Sequence, residues 1–268
     1  MKILDNVEII DLALYIEGNL ILSDFHIGFE EALNKQGILV PRFQFSEIIK
    51  RLDKIFLKLK KKKIKKIIIN GDLKHEFGTI SEQEWRLTLR LLDYLSKYCN
   101  EIILIKGNHD TILGPIAKKR NVKVLDYYLI KSIKKNSIKK IKNKKNNILI
   151  IHGDKIPGKK LLKNTNAIII GHEHPAVSLK EGPRVELFKC FLKGKYTAKA
   201  KLQPGLISKK LGKNKALIVQ PSFNLVTEGT DLMKEGLLSP FLHQNLDNFE
   251  VFVVADKVYR FGRLKDLK

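Results

Sequence analysis

The sequence has few cysteines, and this scarcity excludes two kinds of architecture. Its 268 residues contain only two cysteines, Cys99 and Cys190. They are too few and too far apart in the sequence for a disulfide framework or for a pair of thiolate metal ligands. No apolar run reaches the roughly 18 residues of a membrane-spanning helix, so we expect no membrane association. Asp5 and Glu8 interrupt the apolar N-terminal residues, which argues against a secretory signal. We therefore expect a cytoplasmic protein.

Arginine is scarce as well, although the chain is strongly basic. Eight arginines stand against 43 lysines, and the formal net charge is +23. Lysine is concentrated in residues 58–66, 131–147 and 187–215, which favours binding of a polyanion such as DNA or RNA. The alternative is a compositional bias toward lysine, because arginine is the residue preferred for bidentate phosphate contacts. The sequence leaves both interpretations open.

The hydrophobic pattern alternates between short apolar runs and amphipathic segments. Helical spacing of apolar residues predicts a helix over 43–62, and a second helix begins at Ser81, where Glu84 completes a capping box. We expect an α/β fold with a largely parallel or mixed sheet, one domain over residues 1–268, and an exposed loop or hairpin tip at 131–147. Apolar runs predict strands at 18–23, 67–69, 102–105, 148–151, 167–170, 216–219 and 250–254.

Polar residues of metal-ligating types follow five of these apolar runs directly. Six of the seven histidines lie in these places or, like His75, just after one of them. Because sites in open α/β sheets form beyond the carboxyl ends of strands, we expect the five motifs to converge on one cleft. The motifs are Asp24-Phe25-His26, Gly71-Asp72, Gly107-Asn108-His109-Asp110, His152-Gly153-Asp154 and Gly171-His172-Glu173-His174.

The residue types in these motifs suit a pair of divalent metal ions. In an extended backbone, residues two apart point the same way, so Asp24 with His26, and His172 with His174, would each address one locus. The set offers more oxygen and nitrogen donors than one ion needs, and donors without thiolate fit Mn²⁺, Fe or Zn²⁺. A two-metal site can activate water and bind both the attacking and the leaving oxygen of a phosphate ester. The sequence therefore predicts a phosphohydrolase site.

The order of the five motifs resembles the calcineurin-like metallophosphoesterase superfamily, whose pattern is D-x-H, G-D, G-N-H-[DE], H and G-H-x-H. Longer phrases, at residues 23–30, 71–78 and 220–223, are similar to archaeal SbcD-related phosphoesterases and to bacterial metallophosphoesterases encoded beside DNA ligases. The resemblance covers about residues 18–240. It implies a four-layer α/β/β/α sandwich, in which two mixed sheets are flanked by helices.

The resemblance also implies which residues hold the metal ions. Asp72 would bridge the two ions, and Mn²⁺ is the expected metal, with Fe, Zn²⁺ and Ni²⁺ as alternatives. One ion would be held by Asp24, His26, Asp72 and His174. The other ion would be held by Asp72, Asn108, His152 and His172.

Three further residues receive roles from the same resemblance. His109 would act as the acid for the leaving oxygen or stabilise the transition state, and Asp110 would orient it. His75 would help to orient the scissile phosphate, together with Asn108. Lys74 stands where the related repair nucleases carry an aromatic residue, and this difference weakens the analogy for His75.

The leading hypothesis is a phosphodiesterase of DNA or nucleotide metabolism, which uses a hydroxide held between the two metal ions. An alternative is a small-molecule phosphodiesterase or pyrophosphohydrolase that acts on cyclic nucleotides or nucleotide conjugates. A third hypothesis is a non-catalytic binding module with the same fold. Such relatives typically lose ligands, whereas this chain keeps the whole set. We find no segment resembling a capping domain or an ATPase-docking element, so we do not predict double-strand-break processing.

Overall fold

The computed structural model describes residues 1–133, 145–197 and 215–267, and its first sheet is built from the N-terminal part of the chain. The strands lie in the order β1 to β7; β1 to β4 pair antiparallel, and β4 to β7 pair parallel. The carboxyl ends of β4, β5 and β6 therefore share one edge. The strands are β1 (Lys2–Leu4), β2 (Val7–Ile10), β3 (Ala13–Ile16), β4 (Asn19–Leu22), β5 (Lys66–Asn70), β6 (Glu101–Ile105) and β7 (Lys123–Leu125).

The second sheet is built from the rest of the chain. Its order is β14-β11-β12-β13-β10-β9-β8, with β15 beside β12 and β16 beside β15. The central strands β9, β10 and β13 run parallel. The strands are β8 (Tyr128–Ile133), β9 (Lys145–Ile150), β10 (Ala167–Ile170), β11 (Pro175–Glu181), β12 (Arg184–Tyr196), β13 (Lys215–Val219), β14 (Thr230–Asp231), β15 (Glu250–Val254) and β16 (Val258–Arg263).

Five α-helices and a C-terminal 3₁₀ turn (Leu264–Leu267) complete the described elements. The longest, α2, has 15 residues. In the part of the chain that the structure describes, no helix has both the length and the apolar character that crossing a bilayer requires. The helices are α1 (Phe29–Lys35), α2 (Gln44–Lys58), α3 (Glu82–Leu95), α4 (Gly114–Lys119) and α5 (Lys159–Lys163).

Alternation along the strands of the second sheet divides the apolar interior into two cores. In β9, Ile148 and Ile150 belong to the core shared with the first sheet, whereas Leu149 belongs to a second core on the opposite face. This period of two is the one expected of strands buried on both faces. The shared core includes residues of α2, α3 and α4, and the second core includes Leu162 of α5. The predicted arrangement of two mixed sheets flanked by helices is confirmed.

The two predicted helices are present, with small differences at their ends. Helix α2 buries Ile48, Leu52 and Ile55 on one face, as the apolar spacing predicts, but it ends at Lys58 rather than at residue 62. Helix α3 begins after Ser81, whose hydroxyl accepts a hydrogen bond from the Glu84 N–H at 3.1 Å. The predicted capping box is therefore confirmed.

The lysine-rich stretches lie in different places. Residues 58–66 lead into the amino end of β5, opposite the end where the motif residues follow, and part of their charge is paired. Lys62 lies 2.6 Å from Glu8, and Lys66 lies 2.6 Å from Glu101. The stretch 131–147 begins in β8 and ends in β9, which pair antiparallel as the arms of a hairpin require. Residues 134–144 and 198–214, with much of the other two stretches, lie outside the described residues.

Candidate metal centre

The candidate site lies where parallel strands of both sheets end. β4, β5 and β6 lead into three of the motifs from the first sheet, and β9 and β10 lead into the other two from the second sheet. The loops beyond these ends are joined across the sheets by backbone hydrogen bonds. The Phe223 N–H donates to the Ser23 carbonyl at 2.7 Å, and the Asn224 N–H donates to the Asp24 carbonyl at 3.0 Å. These bonds hold the strand ends of the two sheets together.

Asp24, His26 and His174 form a cluster that we call the first cluster, and His26 also belongs to a group with His75 and His109 whose ring nitrogens lie equally close together. One ligand atom from each residue of the first cluster lies within 4.8 Å of the others. The His26 Nε2 and His174 Nε2 atoms are 3.2 Å apart, and the His174 Nε2 atom lies 3.6 Å from Asp24 Oδ1. Asp24 and His26 are buried, whereas the His174 side chain is 20% exposed. Among these three side chains, His174 is therefore the one that solvent reaches most.

Asp72, His152 and His172 form the second cluster, and Asn108 adjoins it. The His152 Nε2 atom is the common neighbour of the other three. It lies 2.9 Å from Asn108 Oδ1, 3.1 Å from His172 Nδ1 and 3.4 Å from Asp72 Oδ2. The structure thus brings all seven predicted metal-ligating side chains into two adjoining clusters.

Asp72 links the two clusters. Its Oδ2 atom lies 3.7 Å from His26 Nε2 in the first cluster and 3.4 Å from His152 Nε2 in the second. Burial acts to raise the pKa of the Asp72 carboxyl, but the hydrogen bond and charge of His152 bring it well below its usual range. Asp72 is therefore an anion that faces both clusters, which is the position required of a bridging ligand.

The donor set fits divalent cations on electrostatic grounds. The atoms that face one another are carboxylate oxygens, an amide oxygen and imidazole nitrogens, whose lone pairs repel unless a positive charge lies between them. Burial lowers the pKa of His26, and the neighbouring His174 lowers it further. Burial also acts to lower the pKa of His152, but Asp72 and Asp24 raise it to about 9. A proton or a metal ion is thus stabilised beside Asp72.

The backbone that delivers these ligands is left-handed, and the expectation of an extended backbone is wrong. The φ angles of Asp24 and His26 are 53° and 46°, and those of His172 and His174 are 64° and 49°. Asp72 also has a positive φ of 44°. Each such residue costs about 1–3 kcal/mol relative to an unstrained conformation. The paired residues still reach one cluster or two adjoining ones, but through sharp turns held by the surrounding contacts.

Two glycines are required by the close packing of the ligands. A Cβ atom on Gly71 would overlap the Nδ1 atom of His152, and one on Gly107 would overlap the Oδ1 atom of Asp72. Gly71 also has a φ of +84°, which side chains rarely adopt. The glycines before Asp72 and Asn108 therefore allow the close approach of backbone to ligand that a side chain would block.

His109 and His75 lie beside the first cluster. The His109 Nε2 atom is 3.9 Å from Asp72 Oδ2, and its Nδ1 atom contacts the His75 carbonyl oxygen. The His75 Nδ1 atom is 3.3 Å from His26 Nδ1. Burial and the charge of His109 lower the pKa of His75 to about 4, so His75 is neutral at pH 7. The exposed ring of Phe77 covers His109, with 3.7 Å between the ring centroids.

Asp110 is buried and bonds to backbone groups. Its carboxylate accepts hydrogen bonds from the Leu73 N–H at 3.1 Å and from the Gly107 N–H at 3.1 Å. Burial and the nearby Asp72 charge raise the pKa of Asp110 to about 7. The His109 ring contacts the His75 carbonyl instead. Asp110 therefore ties the loop after β5 to the loop after β6, and the contacts that orient the His109 ring come from other residues.

Glu84 and Ser23 support the site in ways that the sequence did not predict, whereas Glu173, between two of the ligands, was expected to take a supporting role. The Glu84 carboxylate accepts hydrogen bonds from the backbone N–H groups of His75 at 3.1 Å and Glu76 at 2.8 Å. The Ser23 hydroxyl lies 2.5 Å from Asp24 Oδ2, and buried Glu173 accepts from the Ser239 N–H at 2.7 Å. A capping box in the sequence identifies Glu84 only as part of a helix end, so no sequence signal pointed to its second role.

The chain is similar to proteins of known family and known structure. A family model described as calcineurin-like phosphoesterase matches residues 20–194. The chain is similar to a nuclease MPE of Pseudomonas putida, with 18% identity, a TM-score of 0.53 and coverage of 94% of this chain and 93% of that chain. It is also similar to Yfce, a phosphoesterase of E. coli, with 12% identity, a TM-score of 0.38 and coverage of 92% and 97%. No curated protein gives a significant sequence match.

Proposed function

We propose that the two clusters hold two divalent metal ions and that the protein hydrolyses phosphodiester bonds, because the chain belongs to the calcineurin-like phosphoesterase family. Membership of this family makes the protein a metal-dependent hydrolase. The observation that carries the more specific proposal is the junction at Asp72, where one carboxylate oxygen faces an imidazole nitrogen of each cluster, at 3.7 Å and 3.4 Å. A two-metal site of this kind acts on phosphate esters by in-line displacement.

The ligand sets that we propose follow the two clusters. Asp72 contributes to both, and the oxygen and nitrogen donors suit Mn²⁺, although Fe, Zn²⁺ and Ni²⁺ have the same preferences. For one ion we propose Asp24, His26, Asp72 and His174 as ligands. For the other ion we propose Asp72, Asn108, His152 and His172.

The residues around the clusters supply orientation and proton transfer. A bound pair of divalent ions supplies Lewis acidity to the phosphate and lowers the pKa of an attacking water. The contact of His109 Nδ1 with the His75 carbonyl requires a proton on Nδ1, because a carbonyl oxygen only accepts. The Nε2 atom therefore faces the clusters and, when protonated, can donate to the leaving oxygen. We assign contact with the phosphate to neutral His75 and to Asn108.

Two features support nucleic acid or nucleotides as the substrate class. The Pseudomonas putida protein, whose structural match covers most of both chains, is named a nuclease, and this chain has a net charge of +23. The archaeal SbcD-related branch, the relation to metallophosphoesterases encoded beside DNA ligases and the cytoplasmic location stay predictions.

The proposal is tested by a substrate screen in the presence of Mn²⁺. Bis-p-nitrophenyl phosphate, cyclic nucleotides and labelled single-stranded oligonucleotides are compared in parallel, with EDTA as the control. Turnover of the diester that requires Mn²⁺ is the expected result. Cleavage restricted to cyclic nucleotides or nucleotide conjugates would favour the small-molecule alternative. Binding of two metal ions without hydrolysis of any ester would overturn the proposed function and favour a binding module.

A further inference from the structure

A cleft of about 940 Å³ opens beside the second cluster, on the side of Asn108. We call it the Asn108 cleft. Its walls come from the loop after β6 (Lys106 to Asn108), from the short link between the two sheets (Asp126 and Tyr127), and from the segment that leads into α5. This volume lies near the upper end of the range of roughly 300–1,000 Å³ that ligand sites have. A phosphate and its immediate ester atoms would leave most of the cleft empty.

The lining of the Asn108 cleft combines an apolar wall, an aromatic ring and a rim of lysines. Leu129, Ile151 and Leu161 are among its apolar side chains, and Tyr127 is 43% exposed. Lys106, Lys155 and Lys160 are exposed at its edge. Two carboxylates, Asp126 and Asp154, also line it, but Lys155 lies 3.6 Å from Asp154. Lys106 and Lys160 are therefore the cations available to an anionic ligand.

The cleft and the candidate metal centre adjoin at Asn108. The amide oxygen of Asn108 lies 2.9 Å from the His152 Nε2 atom at the centre of the second cluster, and Asn108 also lines the cleft. A phosphodiester has two ester arms that leave the phosphorus in different directions. When its phosphate is bound at the clusters, one arm can extend past Asn108 into the cleft.

We propose that the Asn108 cleft binds the nucleotide next to the scissile phosphate, so that single-stranded polynucleotides are the substrate class. Tyr127 stacks on the base, because aromatic stacking accepts any base and suits binding without sequence preference. Lys106 and Lys160 contact the following phosphate, which a cyclic nucleotide or a simple diester lacks. This inference rests on the proposed phosphodiesterase function and adds the part of the substrate beyond the reacting bond.

Binding of a fluorescein-labelled single-stranded oligonucleotide to the full-length protein tests the inference. Fluorescence anisotropy is measured at several salt concentrations, in Mn²⁺ and again in EDTA. The slope of log K against log salt is negative. Lys160→Ser should make it less steep by about 0.7, the value for one phosphate contact on a single strand. Tyr127→Leu should weaken binding by about 5- to 150-fold, the loss of one stacked base.

Matched controls lie on the same elements or surfaces. Lys163→Ser removes the same charge from the same helix, α5, but Lys163 does not line the cleft. Tyr259→Leu removes a tyrosine from β16, outside the cleft. Both controls should bind the oligonucleotide within about twofold of the wild type. Equal losses for Lys160→Ser and Lys163→Ser would show that only overall charge matters, and would overturn the inference.

The two levels of the proposal fail in different ways. If the wild type hydrolyses bis-p-nitrophenyl phosphate but neither binds nor cleaves the oligonucleotide, the proposed function stands and the polynucleotide inference is wrong. If oligonucleotide binding depends on Lys160 and Tyr127 while no ester is hydrolysed, the cleft inference stands and the proposed function is wrong. Cleavage assays in Mn²⁺ should also show a larger fall in kcat/KM for the oligonucleotide than for bis-p-nitrophenyl phosphate in the Lys160→Ser variant.

Discussion

His109 meets the other site residues through both its backbone and its ring. Its N–H donates to Asp72 Oδ1 at 2.9 Å, and its Nε2 atom lies 3.9 Å from Asp72 Oδ2. Replacing it by glutamine keeps the backbone contact but removes the imidazole that can donate a proton to the leaving oxygen. We expect His109→Gln to lower kcat by about 10²–10⁴-fold, with unchanged metal content. Steady-state kinetics and elemental analysis of the dialysed protein check this prediction.

The exposed histidine His243 provides the control for this variant. Its Nε2 atom contacts the Leu237 carbonyl at 3.1 Å, and it lies outside both clusters. His243→Gln should therefore keep wild-type kcat and metal content. Loss of a metal ion from His109→Gln would mean that His109 is a ligand, and the role proposed for it would be wrong.

At the residue scale, the sequence predicted which side chains meet but not how the backbone delivers them. Carboxylates, an amide and imidazoles directly after apolar runs are a chemical signal that needs no coordinates. The left-handed conformations of Asp24 and His172 carry only a weak signal, because Asp and His adopt a positive φ more often than most residues but far less readily than glycine. The bonds of Asp110 to the Leu73 and Gly107 N–H groups depend on how two loops pack, which adjacency to His109 in the sequence does not report.

Helix α3 holds the His75 loop through Glu84, its third residue. The Glu84 carboxylate accepts from the N–H groups of His75, Glu76 and Ser81 at 2.8–3.1 Å, and the side chain is 1% exposed. A glutamine presents an NH₂ group to some of these donors, which leaves a buried N–H unpaired at a cost of about 1–3 kcal/mol. We expect Glu84→Gln to lower both the free energy of unfolding and kcat, as measured by urea denaturation and diester hydrolysis.

Glu82 is the matched control, because it is an exposed glutamate in the first turn of the same helix. Glu82→Gln should change the free energy of unfolding by less than about 0.5 kcal/mol, the usual range for a surface substitution. If the two variants behave alike, the effect belongs to the charge of the helix end and not to the His75 loop.

Strand β12 carries a buried lysine whose titration makes stability depend on pH. Lys189 is 4% exposed, and its ammonium donates to the Thr227 carbonyl at 2.6 Å and the Glu228 carbonyl at 3.1 Å. Burial lowers the pKa of Lys189 to about 8, whereas an unfolded lysine titrates near 10.4. Between these values the unfolded chain binds one more proton than the folded chain. The free energy of unfolding should therefore rise with pH, by about 3 kcal/mol in all.

Urea denaturation from pH 7.5 to pH 10.5 measures this rise against Lys189→Met. The variant lacks the titrating group, so its stability relative to the wild type should fall by about 3 kcal/mol across the range. Lys195→Met, at an exposed position of the same strand, accounts for the general effect of losing a lysine charge. A constant difference between wild type and Lys189→Met would show that Lys189 keeps an ordinary pKa in the folded protein.

At the scale of elements, amphipathic helices and apolar parallel strands were predictable, and irregular antiparallel strands were not. The apolar residues of α2 and α3 recur every three or four positions, a period that distinguishes a helix from a strand. The N-terminal strands β1 to β3 were missed because Asp5, Glu8 and Asp11 interrupt their apolar residues, whereas β4 follows from an unbroken apolar run. The turn from β3 to β4 has positive φ angles at Glu17 and Gly18, a hairpin type that Asn-Gly signals more clearly than Glu-Gly. Strand β12 was not predicted, because its lysines were interpreted as part of a charged patch.

For the whole molecule, metal binding should stabilise the fold, because both clusters require side chains from both sheets. A ligand that binds only the folded state at 100 times its Kd adds about 2.7 kcal/mol to the free energy of unfolding. We expect Mn²⁺ to raise Tm of the full-length protein and EDTA to reverse the change. Differential scanning calorimetry over a range of Mn²⁺ concentrations measures it.

The Asp72→Asn variant should lose most of this stabilisation, because the shared charge between the clusters is removed. Asp93→Asn serves as the control, since Asp93 is exposed and pairs with Arg120 away from the site. It should respond to Mn²⁺ as the wild type does. An Asp72→Asn variant that still binds two Mn²⁺ ions with wild-type affinity would contradict the bridging role.

Each sheet corresponds to one contiguous part of the chain, β1 to β7 within residues 2–125 and β8 to β16 within residues 128–263. Each of the two proposed metal clusters takes side chains from both parts: Asp24 and His26 of the first part meet His174, and His152 and His172 of the second part meet Asp72. Bound cations would therefore link the two parts of the polypeptide. Two fragments made by dividing the chain between β7 and β8 should associate more readily in Mn²⁺ than in a chelator. Recovery of hydrolytic activity would measure that association.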